Sequence, residues 1–281
     1  MTTMREGAVR CLDAHGFHWM RYTEWGDPHN HRVLICAHGL TRNGRDFDHF
    51  AESLSDAYRV VCPDVVGRGR SDWLRDPADY TYVTYCADLA ALMAQIDAES
   101  FDWVGTSMGG ILGMILSAMP GSPVRKLVMN DVGCLVPKAS LERIGEYLGR
   151  DPPYDSLEAL EAEVRRVSPF GRLTDDQWRH LSLHSARHDA DGKWRFRYDP
   201  GIAKNFHAVP LADVDLRGFW SGVRGPVFVL RGEHSDLLRA DTLEEMMERP
   251  HTESMVVPDT GHCPMLMDAA QVRAVRHFLL R

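Results

Sequence analysis

Residues 101–119 read Phe-Asp-Trp-Val-Gly-Thr-Ser-Met-Gly-Gly-Ile-Leu-Gly-Met-Ile-Leu-Ser-Ala-Met, and the fold turns on how this stretch is taken. Phe101, Trp103 and Val104 suit a short buried strand, Gly105 to Gly109 a tight turn, and the apolar run after it a helix. A strand, G-x-S-x-G and helix in that order lifts one hydroxyl clear of the edge of a sheet, here that of Ser107. A nucleophile carried there sits on a strained backbone. The positions two before and two after it must therefore be small, and Gly105 and Gly109 supply this, with Gly110 adding slack. The opening helix directs free N–H groups and its positive dipole end at the same point, where a developing oxyanion would be stabilised. The plain alternative is a glycine-rich turn with an ordinary N-cap serine, and only the rest of the chain separates the two.

At 281 residues the chain suits one sizeable α/β domain with an insertion better than two independent domains. With 44% hydrophobic and 26% charged residues, it has the composition of a soluble globular protein. A net charge of -8 argues against nucleic acid or an anionic membrane as partner. The start, MTTMREGAVR, lacks an apolar core for a signal peptide, and no later stretch reaches membrane-spanning length. The cysteines at 11, 36, 62, 86, 134 and 263 form no C-x-x-C pair, and several fall in apolar runs, which reads as buried free thiols in the cytoplasm.

Outward from the decisive stretch, apolar runs and helical periodicities alternate. Val9 to Trp25, with Gly16, predicts an antiparallel hairpin. Arg32 to Ala37 predicts a strand buried on both faces, ending in His38-Gly39-Leu40. A helix with Phe47, Phe50 and Leu54 follows, then a strand at Tyr58 to Cys62 and a helix from Tyr80 to Ile96. The intervening Gly67-Arg68-Gly69-Arg70 lacks the third glycine or the lysine of a phosphate loop, and is better read as a turn fixed by Asp64, Gly67 and Gly69. Val124 to Met129 gives another strand. Such alternation implies right-handed crossovers and a mostly parallel sheet with helices on both faces.

From Pro137 to about Phe219 the pattern changes to charge-rich helical segments near 140–148, 156–167 and 174–185, with an extended stretch at 194–198. This predicts a mainly helical cap over 134–219, inserted in a core of 1–133 and 220–281. Its aromatic residues Trp178, Trp194, Phe206 and Trp220, with Phe196, Tyr198 and Phe219, are the expected pocket walls. His180, His184 and His188 recur every four residues, but no acidic or cysteine ligand stands at metal-site spacing, so a solvated polar face is expected and no metal. Strands at 226–230 and 254–257 and helices at 242–248 and 270–280 complete the pattern.

Asp236 and His262 each lie just past a predicted parallel strand, on the sheet edge that carries Ser107. Their order, Ser, Asp, His, suits a catalytic triad. At this point the chain resembles the α/β-hydrolase superfamily over nearly its whole length, through His38-Gly39, Asp64 with Gly67 to Ser71, Gly105 to Gly110, Gly232 to Asp236 and Gly261-His262. The resemblance implies eight strands, a cap after the sixth, no cofactor and serine-hydrolase chemistry. Ser107 in place of an aspartate disfavours the dehalogenase and epoxide hydrolase branches. Members that cleave carbon–carbon bonds share a similar elbow but usually carry a tryptophan soon after the histidine, where this chain has Cys263, Pro264 and Met265.

The expected catalytic set is therefore Ser107 as nucleophile, His262 as general base and Asp236 as its orienting acid, with the N–H groups of Leu40 and Met108 as oxyanion donors. Asp131 also follows a strand and is the competing acid. Asp236 is preferred because Asp131 runs directly into Val132-Gly133 and the cap, while the loop at Gly232 matches the family pattern. The expected function is hydrolysis of small or medium carboxylic esters through an acyl-enzyme. Cleavage of a vinylogous diketone and a catalytically silent ligand-binding fold are the alternatives. The expected partner is a small acyl substrate, without nucleic acid or membrane, and a homo-oligomer pairing through an aromatic cap face is compatible with a chain that has no heptad pattern.

Overall fold

The computed structural model describes residues 4–208 and 210–281; residues 1–3 of the expected core and Val209 of the expected cap lie outside the described residues. The chain runs through β1 (Arg5–Asp13), β2 (Gly16–Trp25), β3 (Val33–Ala37), α1 (Asp48–Leu54), β4 (Arg59–Pro63), α2 (Tyr82–Gln95), β5 (Phe101–Thr106), α3 (Met108–Ala118) and β6 (Val124–Asn130). It then leaves the sheet through β7 (Leu135–Val136), α4 (Lys138–Gly145), α5 (Leu157–Val167), α6 (Asp175–Ser185), β8 (Ala186–His188), β9 (Trp194–Phe196), α7 (Ala203–Phe206), β10 (Val214–Asp215) and α8 (Arg217–Gly222). It returns with β11 (Val227–Gly232), α9 (Ala240–Met247), β12 (Thr252–Val257) and α10 (Ala269–Leu280).

Eight strands form one sheet in the order β1-β2-β4-β3-β5-β6-β11-β12. The six strands from β4 to β12 are mutually parallel, and the β1–β2 hairpin joins antiparallel through β2. The all-buried β3 and β5 follow from their place in the middle of the sheet, covered on both faces. Alternate residues feed two cores. Val33, Ile35 and Ala37 face α2 and α3, while Leu34 and Cys36 face α1 and α10.

Between β6 and β11 the chain is pinched at its two ends, where Leu135–Val136 pairs with Val214–Asp215. The helices α5 and α6 build a further core around Leu160, Leu181 and Trp178, which Cys263, Met265 and Met267 of the sheet domain complete. This insertion is stitched to the sheet domain by the glycine-rich turn: Gly69 N donates to Arg197 O, Asp199 N donates to Gly67 O, and the Tyr80 hydroxyl donates to the Asp199 carboxylate. Asp64 fixes that turn by accepting from Gly44 N and Arg70 N, as its expected role requires.

Candidate active site

The turn after β5 is shaped by close approach. A Cβ on Gly105 would lie 2.1 Å from Gly109 O, and one on Gly109 would lie 2.0 Å from Ala37 O, so no side chain fits at either position. Ser107 between them has φ 52 and ψ -115 and projects its hydroxyl above the carboxyl ends of the parallel strands. Trp103 Nε1 donates to Gly109 O, locking strand to helix. Asn130, the last residue of β6, accepts from Ser107 N on its backbone carbonyl, and its side-chain amide donates to Thr106 Oγ1 and to Pro264 O, tying the elbow to the histidine loop.

His262 Nε2 stands 3.0 Å from Ser107 Oγ, and His262 Nδ1 stands 2.8 Å from Asp131 Oδ2. A carboxylate only accepts, so Nδ1 carries the proton and Nε2 presents its lone pair to the serine hydroxyl. Asp131 is fully buried and holds φ 59, a left-handed conformation that aspartate tolerates better than most residues. Its carboxylate also accepts from Gly232 N at 2.7 Å and from Ser235 Oγ at 2.7 Å.

Here the structure corrects the sequence. Asp236 does not reach His262. Its half-exposed carboxylate forms a two-pronged pair with Arg143 of α4, at 2.5 and 2.9 Å. The loop after β11 instead supplies two donors to the acid of the neighbouring strand, through Gly232 and Ser235. Sequence position put both aspartates at strand ends on one sheet edge, but not the direction in which each carboxylate points.

Leu40 borders the cavity beside Ser107, and Met108 opens α3. Gly110 N and Ile111 N both return to Ser107 O, so the N–H of Met108 lies ahead of the helix's own bonds. The peptide joining Gly39 to Leu40 is aimed from behind. Its carbonyl accepts from His38 Nδ1 at 2.7 Å and from Arg42 N at 3.1 Å, and in a trans peptide the Leu40 N–H then points the opposite way. His38 Nε2 accepts from Val65 N, so this fully buried ring is a neutral brace, and burial pushes its pKa down to about 3. Arg68, also fully buried, donates to Leu40 O and lies over the ring of Tyr85. Arg68, Ser235 and Gly232 stand in segments that carry the family resemblance, but none of them is among the expected site residues. Arg68 sits in the Gly67 to Arg70 turn that was the available signal.

Ser107 and His262 open on a cavity of about 600 Å³ walled by Tyr147, Arg150, Tyr154, Phe170, Phe196 and Tyr198 among others. Phe196 and Tyr198 were expected there. The four principal wall candidates are elsewhere. Trp178 stacks on Phe170 in the core of α5 and α6, Trp194 packs edge-on to His188, Phe206 packs against the main core, and Trp220 is buried against it. Their large apolar surfaces went into the packing of the insertion and its neck. Cys263 lines the cavity, but burial and the nearby Asp131 push its thiol pKa well up, so it stays an uncharged neighbour of His262.

His180 and His184 do not form a solvated face. Their rings meet edge-on at 4.5 Å against α1, with Asp48 within reach of His180, while His188 lies apart on β8. Arg45 engages only Oδ2 of Asp48, whose Oδ1 is buried without a hydrogen-bond partner, and the carboxylate lies in one group with the two imidazoles.

Residues 32–269 match the family model described as the alpha/beta hydrolase fold. The chain belongs to the α/β-hydrolase family. This α/β-hydrolase is 45% identical over 284 residues to the 3-hydroxybutyrate-oligomer hydrolase of Cupriavidus necator, covering 98% of the chain and 97% of the relative. It is 24% identical over 247 residues to the 2-(acetamidomethylene)succinate hydrolase of Mesorhizobium japonicum, covering 82% and 81% of the two chains. The crystal structure of an alpha/beta hydrolase from Novosphingobium aromaticivorans superposes with a TM-score of 0.89 at 32% identity, covering 100% of this chain and 99% of the other. No helix among the described residues is long and apolar enough to cross a membrane.

Proposed function

We propose that this hydrolase is a serine esterase that uses Ser107 as nucleophile, His262 as general base and Asp131 as the residue that orients it. The carrying observation is the unbroken hydrogen-bonded path from Asp131 through His262 to Ser107 at the floor of the cavity. His262 Nε2 removes the serine proton as Ser107 Oγ attacks the ester carbonyl, and then returns that proton to the departing alcohol. The buried Asp131 carboxylate stabilises the imidazolium formed in between. The N–H groups of Met108 and Leu40 hold the oxyanion, each contributing on the order of 3 kcal/mol. Water activated by the same imidazole then cleaves the acyl-enzyme. The insertion over 134–219 acts as the cap that walls the substrate off from bulk water.

The substrate class we favour is short linear oligoesters of small hydroxy acids. The support is the name of the 45% identical relative, together with a cavity of about 600 Å³ that admits several acyl units. The test is a comparison of kcat/KM on 3-hydroxybutyrate dimer and trimer, p-nitrophenyl esters of rising chain length and a dienoic diketone. Oligomer turnover above that of the simple esters is expected, with loss of both when Ser107 is labelled by a fluorophosphonate. Turnover of the diketone alone would replace the ester reading, and absence of labelling at Ser107 would replace the enzymatic one.

A further inference from the structure

The β1–β2 hairpin carries a second cluster of functional groups, outside the cavity at Ser107. Cys11 and His18 are direct cross-strand partners in the hairpin register, so both side chains leave the same face of the sheet. Asp88 of α2 packs over that face. All three are buried, and one potential ligand atom from each, the Cys11 thiol, a His18 ring nitrogen and an Asp88 carboxylate oxygen, lies within 4.8 Å of the others. His18 Nε2 is 2.9 Å from Asp88 Oδ2. The other ring nitrogen, Nδ1, is buried without a hydrogen-bond partner and faces Asp13 Oδ2 at 3.4 Å. A second cavity of about 380 Å³, lined by Asp13, His15, His18 and Asp72, gives a path to the cluster.

We propose that Cys11, His18 and Asp88 form a binding site for a thiophilic divalent cation, zinc fitting best. One sulfur, one imidazole nitrogen and one carboxylate oxygen are a zinc-type donor set, and ligand atoms in a tetrahedral zinc site stand about 3.5 Å apart, within small side-chain rotations of the positions here. The fourth position is left to water. His18 Nε2 faces the ion, and Nδ1–H turns to Asp13, the outer carboxylate that commonly fixes a ligating imidazole. Charge also favours the site. A buried thiolate, a carboxylate and a neutral imidazole come to zero with one divalent cation, and Asp13 and Asp72 add negative potential at His18. Binding releases the proton of the Cys11 thiol to solvent, and the proton on His18 Nε2 is replaced by one on Nδ1, so the imidazole stays neutral. The ion then clips the hairpin to α2, which otherwise touch only through side-chain packing and hydrogen bonds. Consecutive motif spacing could not reveal the site, because its ligands come from two strands and a helix far apart in sequence.

The test uses the untagged full-length protein, stripped with chelator and titrated with cobalt(II), whose spectrum reports thiolate ligation. One equivalent is expected to bind, with a sulfur-to-cobalt charge-transfer band in the near ultraviolet. C11S is expected to lose that band and to bind at least tenfold more weakly while keeping ester turnover. H184N is expected to behave as wild type, which separates this site from the pair of histidines on α6. If C11S does not fold, D88N carries the test and must weaken binding at least tenfold. Absence of stoichiometric binding, an unchanged band in C11S, or full affinity in D88N would overturn the proposal and leave a buried His18–Asp88 hydrogen bond.

Discussion

The loops after β6 and β11 each offer one aspartate at the same edge of the sheet, and they differ in everything that decides a catalytic acid. Asp131 is fully buried, is turned inward by a left-handed backbone, and receives three hydrogen bonds. Asp236 is half-exposed, and its charge is spent on Arg143 of α4. A carboxylate that must steady an imidazolium needs to be buried against the ring and fixed by hydrogen-bond donors, and only the first loop provides both. The second loop has become the support of the first, lending it the Gly232 N–H and the Ser235 hydroxyl.

The contrast is sharpest in the paired variants. D131N should lower kcat on any turned-over ester by about 10³ to 10⁴, because an amide holds the imidazole in the wrong tautomer. D236N should leave kcat within about threefold, since only an exposed ion pair is lost. Equal losses in steady-state kinetics would erase the distinction between the loops. Next in size, Gly109→Ala should destabilise the fold by about 3 kcal/mol in denaturant unfolding, because its methyl would meet the Ala37 carbonyl head-on. Wild-type stability in that variant would mean that the elbow is looser than the 2.0 Å approach implies. Ser235→Ala removes one of the donors to Asp131 and should reduce kcat about tenfold, near 1.4 kcal/mol, with KM little changed. An unchanged kcat would make the support loop a bystander.

A pH-dependent effect concerns His38. Its folded pKa of about 3 lies below the ordinary 6.5, so between those values the unfolded chain binds a proton that the native state refuses. Stability is therefore complete above pH 6.5 and falls as pH drops below it, by up to about 1.4 kcal/mol per pH unit from this group. In urea titrations at stepped pH, H38Q should show a shallower acid slope than wild type. Matching slopes would mean that His38 is protonated in the native state.

Much of this was legible in the sequence, for physical reasons. Strands such as Val33 to Ala37 are continuously apolar because both faces are covered, and the amphipathic period of 82–95 marks a helix lying on the sheet. Ser107 and His262, which the structure brings within 3.0 Å of each other, were legible because each stands at a strand end with glycine beside or near it. The acid was not, since its direction depends on the backbone of Asp131 and on donors a hundred residues away. Nor was most of the cavity wall, Phe196 and Tyr198 apart. Trp178 and Phe170 are both aromatic residues of the insertion and stack on each other, yet only Phe170 lines the cavity. The histidines of α6 were misjudged for the same reason, because the carboxylate they approach belongs to α1.

The most direct test of the Asp131–His262–Ser107 path is the proton spectrum of the His262 Nδ1–H, which a carboxylate partner moves far downfield. The resonance should be present in the wild type, persist in D236N and vanish in D131N. Its survival in D131N, or its loss in D236N, would contradict the assignment of Asp131.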